Sequence, residues 1–134
     1  MEETFMLIQC ENQNEFDAFI SQVGSILKER DKRVCTPEEE QKRAAVNMIF
    51  IYKNKAPYVI LTKRTHLVST HKGQISFPGG MEDGDDNHIS ETAKRETYEE
   101  IGLKPEDNSI IGFFDDYISI HEVHITAAVS VAPY

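Results

Sequence analysis

A double glycine followed by an acidic segment constrains this 134-residue chain more than any other feature. After Gly79 and Gly80 come Glu96, Glu99 and Glu100, which we call the Glu arc. Successive helical residues are rotated by about 100°, so these spacings place the three carboxylates on one side of a helix. Like charges at such spacings repel each other by roughly 0.2–0.5 kcal/mol per pair. The Glu arc therefore either stays fully solvated or binds a hard divalent cation such as Mg²⁺, which shares carboxylate oxygens with water and substrate phosphate.

The residues around the Glu arc favour a cleft over a simple solvated face. Ala93, Thr97 and Ile101 recur every four residues and form a modest apolar stripe beside the arc rather than opposite it. A helix with this pattern holds the carboxylates at the edge of the core. Gly102 is expected as the left-handed residue that ends the helix. We therefore predict a helix that begins within 85–90, ends near Ile101, and carries a metal site suited to cleaving a phosphoanhydride.

The segment that begins at Gly80 resembles the Nudix box. The pattern of that box is Gly, five residues, Glu, seven residues, then Arg-Glu-U-x-Glu-Glu-x-Gly-U, where U is a bulky aliphatic residue. Residues 95–103 match its second half except at Thr97, where an apolar residue is usual. Asp86 stands at the first Glu, and the spacer after it is eight residues long, one more than the pattern. The coenzyme A pyrophosphatase branch of the family is similar in both respects. Asp83 and Asp86 are expected to cap the helix or to add negative charge behind it.

The preceding segment is similar to the signature of the same branch. It contains a Leu-Thr-Lys-Arg strand end, a His-x-Gly-Gln turn and a Phe-Pro-Gly-Gly stretch, at residues 61–64, 71–74 and 77–80. Val68 replaces an Arg that is usual in that signature, which removes one expected phosphate contact. The resemblance covers about residues 44–128.

The resemblance implies an α/β fold, a Nudix-type α/β/α sandwich with a mixed sheet. One domain is expected over residues 1–134, with an N-terminal extension at 1–43 that carries amphipathic helices and a Nudix core at 44–134. Nudix domains usually continue with a helix that covers the sheet, so this core is expected to be short at its C-terminus. Either the core is truncated, or the missing layer is expected from the N-terminal helix or from a second subunit, which would make the chain a homodimer.

The resemblance also implies roles for the residues of the box. Glu96, Glu99 and Glu100 would hold Mg²⁺ or Mn²⁺ together with the backbone carbonyl of Gly80. One of the Glu residues, or a group that they orient, would position or deprotonate the attacking water. Arg95 is counted with the catalytic residues because it is expected to orient Glu99 or Glu100 through a two-pronged ion pair.

Substrate-binding residues are expected in the segment that leads into the box. Lys63 and Arg64 form a local basic cluster in an acidic chain, and the resemblance gives His71 a substrate-binding or loop-ordering role. On composition alone, Lys63 and Arg64 could equally end a strand in solvent. Gly79 and Gly80 would allow the backbone to approach the substrate closely.

The implied reaction is metal-dependent hydrolysis of the diphosphate bond of coenzyme A or acyl-CoA. Its products would be adenosine 3′,5′-bisphosphate and (acyl-)4′-phosphopantetheine. Two alternatives stay open. One is a Nudix hydrolase of another nucleoside diphosphate derivative such as ADP-ribose, and the other is a non-catalytic module that binds a nucleotide.

Charge and cysteine content limit the partners and the location. The formal net charge of −9 disfavours nucleic acid and anionic membranes, and no apolar run has the length of a membrane span. The chain begins with acidic residues rather than with a basic signal segment. Cys10 and Cys35 have no metal-ligand spacing, so we interpret them as free thiols and expect a cytoplasmic protein.

Periodicity predicts the remaining elements. Helical spacing of apolar residues predicts an amphipathic helix over about 14–29. Thr36, followed by Pro and Glu, predicts the start of a second, short helix. Strands are predicted at residues 5–8, 46–52, 58–62, 110–114 and 123–132, with a hairpin loop at 53–55.

Overall fold

The computed structural model describes residues 8–36, 38, 40–63 and 73–134 of the chain. Its elements are, in chain order, α1 (Gln13–Glu29), β1 (Arg43–Lys53), β2 (Ala56–Val59), β3 (Thr62–Lys63), β4 (Ile75–Ser76), β5 (Gly79–Met81), α2 (Ile89–Ile101), a 3₁₀ turn (Pro105–Asp107), β6 (Ser109–Phe113), β7 (Tyr117–Ile118) and β8 (His124–Val131). None of the helices in this described part combines the length and the apolar character that a membrane span requires.

A mixed six-stranded sheet forms the centre of the domain. Its middle strands, β1 and β8, run parallel to each other, while all the other pairings are antiparallel. On the outer edge of β1, β5 pairs with the beginning of the strand and β2 with its end. Strands β3 and β4 form a separate two-stranded sheet. The double glycine of β5 therefore lies where β1 begins.

Different helices cover the two faces of the sheet. Phe16 and Ile20 of α1 pack against Phe50 and Tyr52. The opposite face packs against α2 through a cluster of small and apolar residues, Ala45, Ile89, Ala93 and Ala128. Alternate side chains of a strand point to opposite faces, so the even and odd positions of β1 serve the two helices. The predicted α/β/α sandwich with a mixed sheet is confirmed, and within the described residues α1 supplies the layer opposite α2.

Local signals explain where the helices begin and end. Asn12 caps α1, because its side chain accepts a hydrogen bond from the backbone N–H of Glu15 at 3.0 Å. His88 caps α2 in the same way, accepting from the N–H of Ser90 at 3.1 Å. The helix ends at Gly102, whose φ of 73° is left-handed, as the sequence predicted. The cap of α2 is thus a histidine, and neither Asp83 nor Asp86 has the capping role expected for it.

The predicted β1–β2 hairpin is also confirmed. Asn54 and Lys55 form a two-residue turn with φ values of 49° and 56°. Two successive positive φ angles match the twist of the flanking strands in a tight hairpin. The strand predicted at 5–8 lies almost entirely outside the described residues.

The second helix predicted in the N-terminal extension is wrong for the described residues. After Thr36, Glu38 and residues 40–42 form coil and turn, and β1 begins directly afterwards. The backbone N–H of His124 donates to the carbonyl of Lys42 at 2.9 Å, so the ladder between the parallel strands already starts here. A short helix here would break this bond between distant parts of the chain. An isolated helix of only a few turns is marginally stable in water, so its formation would not compensate for the loss.

Candidate functional site

The double glycine brings the backbone of β5 directly against α2. Gly80 pairs with Ala45 of β1, and a Cβ built on Gly80 would overlap the carboxyl group of Glu96. A Cβ on Gly79 would overlap the backbone of Ala45 and would lie 2.8 Å from the Cα of Val46. A side chain at Gly80 would therefore displace a flexible carboxylate, whereas one at Gly79 would force two strands apart. The two glycines set how closely Glu96 approaches the sheet.

Arg95 joins the loop before α2 to the carboxylates on the helix. Its guanidinium donates to both oxygens of Asp86, from Nε at 3.1 Å and from Nη2 at 2.9 Å. Nη2 also donates to the carbonyl of Met81 at 2.9 Å. Nη1 donates to Oε1 of Glu96 at 2.8 Å and makes longer contacts of 3.4 and 3.5 Å with Glu99. The expected ion pair with Glu99 is present but is made by Nη1 alone at 3.4 Å, while the two-pronged contact of the guanidinium goes to Asp86.

Asp86 supplies the negative charge expected behind the helix, but its partner, Arg95, was not predicted. Its side chain is only 6% exposed and also accepts from the hydroxyl of Thr92 at 2.8 Å and from the N–H of Asp83 at 2.9 Å. The hydrogen bonds from Arg95 hold the pKa of Asp86 far below its usual value, although burial acts in the opposite direction. The same pair raises the pKa of Arg95. The one signal in the sequence was an acidic residue at the first Glu position of the box.

The carboxylates of the Glu arc differ in their surroundings. The Glu96 side chain is 18% exposed and that of Glu99 is 55% exposed, while Glu100 is an exposed residue. Within the described ranges, no three acidic, histidine or cysteine side chains converge closely enough to bind one metal ion. Carboxylate oxygens are nevertheless the donors that Mg²⁺ and Mn²⁺ prefer. Because Glu99 is largely in solvent, its side chain can rotate towards a cation without breaking a packed contact.

A comparison with known protein families gives this geometry its context. A family model described as the NUDIX domain matches residues 41–132, which include the sheet, the double glycine and α2. The chain belongs to the Nudix family.

Individual Nudix proteins show how far the similarity extends. The uncharacterized Nudix hydrolase NudL of Pectobacterium atrosepticum is 35% identical over 95 residues, which are 71% of this chain and 49% of that protein. The NudL of Klebsiella aerogenes is 34% identical over 97 residues, 72% of this chain and 80% of that protein. The chain thus spans about half the length of the Pectobacterium relative.

A solved structure confirms the fold independently of close sequence similarity. The NUDIX domain of Shewanella oneidensis NrtR, crystallised with ADP ribose, superposes with a TM-score of 0.56 at 17% identity. The match covers 82% of this chain and 70% of that one.

The expected substrate-binding residues are only partly placed. Lys63 is exposed and lies in the small β3–β4 sheet, where it pairs with Ile75 shortly before the double glycine. Arg64 and His71 lie outside the described residues. The structure therefore brings Gly79, Gly80, Arg95 and Glu96 together and puts Glu99 beside them, while Lys63 lies in the separate β3–β4 sheet.

Proposed function

We propose that this Nudix domain hydrolyses a phosphoanhydride bond with the help of Mg²⁺ or Mn²⁺. The observation that carries the proposal is the position of Glu96, whose carboxylate lies against the backbone of Gly80 and accepts a hydrogen bond from Arg95. Glu99 contacts the same guanidinium from the next turn of α2. Hard oxygen donors are thereby gathered next to a glycine backbone that Glu96 can approach closely.

We propose coenzyme A or an acyl-CoA as the substrate, and adenosine 3′,5′-bisphosphate and (acyl-)4′-phosphopantetheine as the products. The support is the branch signature in residues 61–80 and the Asp at position 86 with its longer spacer. Lys63 and Arg64 are proposed to bind phosphate groups, and His71 to bind substrate or order its loop. The cytoplasmic location and the homodimer stay predictions.

The residues of the site would divide the work between holding the cation and orienting its ligands. Glu96, Glu99, Glu100 and the carbonyl of Gly80 would hold the cation, which when bound neutralises phosphate charge and lowers the pKa of a bound water. Two hydrogen bonds to Asp86 fix the position of the Arg95 guanidinium. Arg95 in turn orients Glu96, and a restraint of this kind sets ligand geometry. A carboxylate of the Glu arc would position the attacking water or accept its proton.

Turnover of a substrate panel with Mn²⁺ tests the proposal. CoA, acetyl-CoA, ADP-ribose and a dinucleotide are incubated with the chain, and the products are identified by mass spectrometry. We expect cleavage of CoA or acetyl-CoA to the bisphosphate and the phosphopantetheine fragment. A clear preference for ADP-ribose would reject the CoA assignment. Tight binding of ADP-ribose without turnover of any compound would instead identify a ligand-binding module.

Glu99→Gln with a matched control tests the role of the Glu arc. Substitution of a residue that hydrogen-bonds to a metal ligand typically lowers metal affinity or activity by about 10–100-fold. Loss of a ligand itself should therefore lower turnover by roughly 100-fold or more. Glu106→Gln removes the same charge from an exposed position in the 3₁₀ turn and should leave turnover unchanged. Equal turnover in the two variants would contradict the assignment of Glu99.

A further inference from the structure

A chain of buried polar side chains connects α2 to the sheet directly behind the Glu arc. We call Asn47, Thr97 and Ser130 the Asn47 network; each of the three is 0% exposed. Nδ2 of Asn47 donates to the hydroxyl of Thr97 at 3.0 Å. The hydroxyl of Ser130 donates to Oδ1 of Asn47 at 2.6 Å. Buried polar groups cost free energy unless they are paired, so three of them in contact form a directional link between the helix and the sheet.

The direction of each hydrogen bond in the Asn47 network is determined. The hydroxyl of Thr97 donates its single hydrogen to the carbonyl of Ala93 at 2.7 Å, so it can only accept from Asn47. Asn47 must therefore turn its amide nitrogen towards α2 and its oxygen towards Ser130. If the amide of Asn47 were flipped, its oxygen would face the lone pairs of the Thr97 hydroxyl, and no hydrogen bond could form between them. Only this orientation of the Asn47 amide satisfies all three groups.

The backbone of the same residue holds the double glycine. The N–H of Asn47 donates to the carbonyl of Pro78 at 2.8 Å, and the preceding Val46 pairs with Gly79. Asn47 thus contacts the residue before the double glycine through its main chain and α2 through its side chain. Thr97, its partner on α2, directly follows Glu96. The two parts of the site that nearly touch, Gly80 and Glu96, are both tied to this one residue.

We propose that Asn47 is a positioning residue that sets the placement of α2, and with it Glu96, relative to Gly80. The inference rests on the proposed function for its importance to metal binding. The hydrophobic effect is non-directional, whereas the hydrogen bond from Asn47 to Thr97 requires a short distance and a favourable angle and so restrains where this turn of α2 lies on the sheet. The proposal also explains why Thr stands where the box usually has an apolar residue.

Thr97→Val tests the proposal because it keeps the shape of the side chain and removes the hydroxyl. We expect the dissociation constant for Mn²⁺, measured by calorimetry, to rise roughly tenfold, which is the lower end of the effect of residues that orient metal ligands. Thr97→Ser retains the hydroxyl and should restore affinity to within about twofold of the unchanged chain. Ser130→Ala is the control, because it removes a buried hydrogen bond of the same network and leaves the bond between Asn47 and Thr97 in place. The Mn²⁺ affinity of this variant should differ from that of the unchanged chain by less than about twofold.

Crystal structures of the variants separate this proposal from the proposed function. Thr97→Val should show α2 displaced against β5, while Ser130→Ala should not. If Thr97→Val leaves α2 in place, or if it and Ser130→Ala weaken Mn²⁺ binding equally, the positioning role is wrong. Absence of Mn²⁺ binding by the unchanged chain would instead reject the proposed function, and the position of α2 in the variants would still decide the role of Asn47.

Discussion

Asp86→Asn is the substitution for which the structure gives the most definite expectation. Asparagine keeps the shape of the side chain but removes its charge and turns one acceptor oxygen into a donor. Whichever oxygen is replaced, that donor would face the guanidinium of Arg95, because each oxygen of Asp86 now accepts from it, and at Oδ2 it would also face the hydroxyl of Thr92. The change therefore leaves at least one donor without an acceptor at a side chain that is 6% exposed.

The expected loss of unfolding free energy is about 2–3 kcal/mol. Removing one partner of a fully buried ion pair costs roughly 3–5 kcal/mol, and hydrogen bonds to charged groups contribute about 1.5–3 kcal/mol. The Arg95 side chain is 28% exposed, so water can hydrate its guanidinium and offset part of this loss of unfolding free energy. For a domain of this size, the melting temperature should fall by about 10 °C.

The pH dependence gives an independent check on the same pair. The pKa of Asp86 is lower in the folded chain than in the unfolded chain, so the pair stabilises the fold above the unfolded value of about 3.9. This stabilisation is lost as the pH falls through the lower, folded pKa. The difference in unfolding free energy between the unchanged chain and Asp86→Asn should therefore be constant near neutral pH and should shrink below about pH 4.

Urea unfolding followed by circular dichroism measures both effects. Asp85→Asn is the matched control, because Asp85 is exposed and its side chain makes no hydrogen bond with the described residues. The control should change the unfolding free energy by less than about 0.5 kcal/mol. If Asp86→Asn cost no more than Asp85→Asn, or if its deficit did not shrink in acid, the ion pair would not stabilise this loop.

Three further predictions concern the glycines and the basic cluster. Gly80→Ala should weaken Mn²⁺ binding while the fold persists, because the new methyl group meets the carboxylate of Glu96. Gly79→Ala should lower the melting temperature, because its methyl group meets the backbone of β1. Equal effects of the two substitutions on thermal unfolding would contradict this difference. Gly102→Ala should cost about 1 kcal/mol in urea unfolding, since φ there is 73°; an unchanged midpoint would refute it. Lys63→Ala should raise KM more for CoA than for its form lacking the 3′-phosphate, and equal increases would remove the proposed phosphate contact.

The sequence predicted the elements whose signals are local. The helical spacing near residues 14–29 and the glycine at the end of α2 each depend on a few neighbouring residues, and both match the structure. The Asn-Lys turn of the first hairpin follows for the same reason. Thr36 carried an equally good local signal for a helix start. It failed because β1 begins directly after this short stretch of coil and turn, and the backbone bond from His124 to Lys42 already belongs to the pairing of β1 with β8.

The partners within the site could not be read from spacing alone. The resemblance implied an ion pair of Arg95 with Glu99 or Glu100, and the pair with Glu99 forms, but a turn outside the helix gives the shorter, two-pronged contact to Asp86. Asn47 gave no signal, because its contacts with Thr97 and Ser130 join residues that are distant in the chain. Such contacts depend on the register of the parallel strands, and that register follows from the whole sheet.

Binding of Mn²⁺ by the Glu arc is the central claim, and an anomalous-scattering map of crystals soaked in manganese tests it most directly. We expect a single strong peak next to Glu96, with oxygens of Glu99 and Glu100 turned towards it from their solvent-exposed positions. A well-ordered α2 with no peak beside these carboxylates at saturating Mn²⁺ would contradict the account.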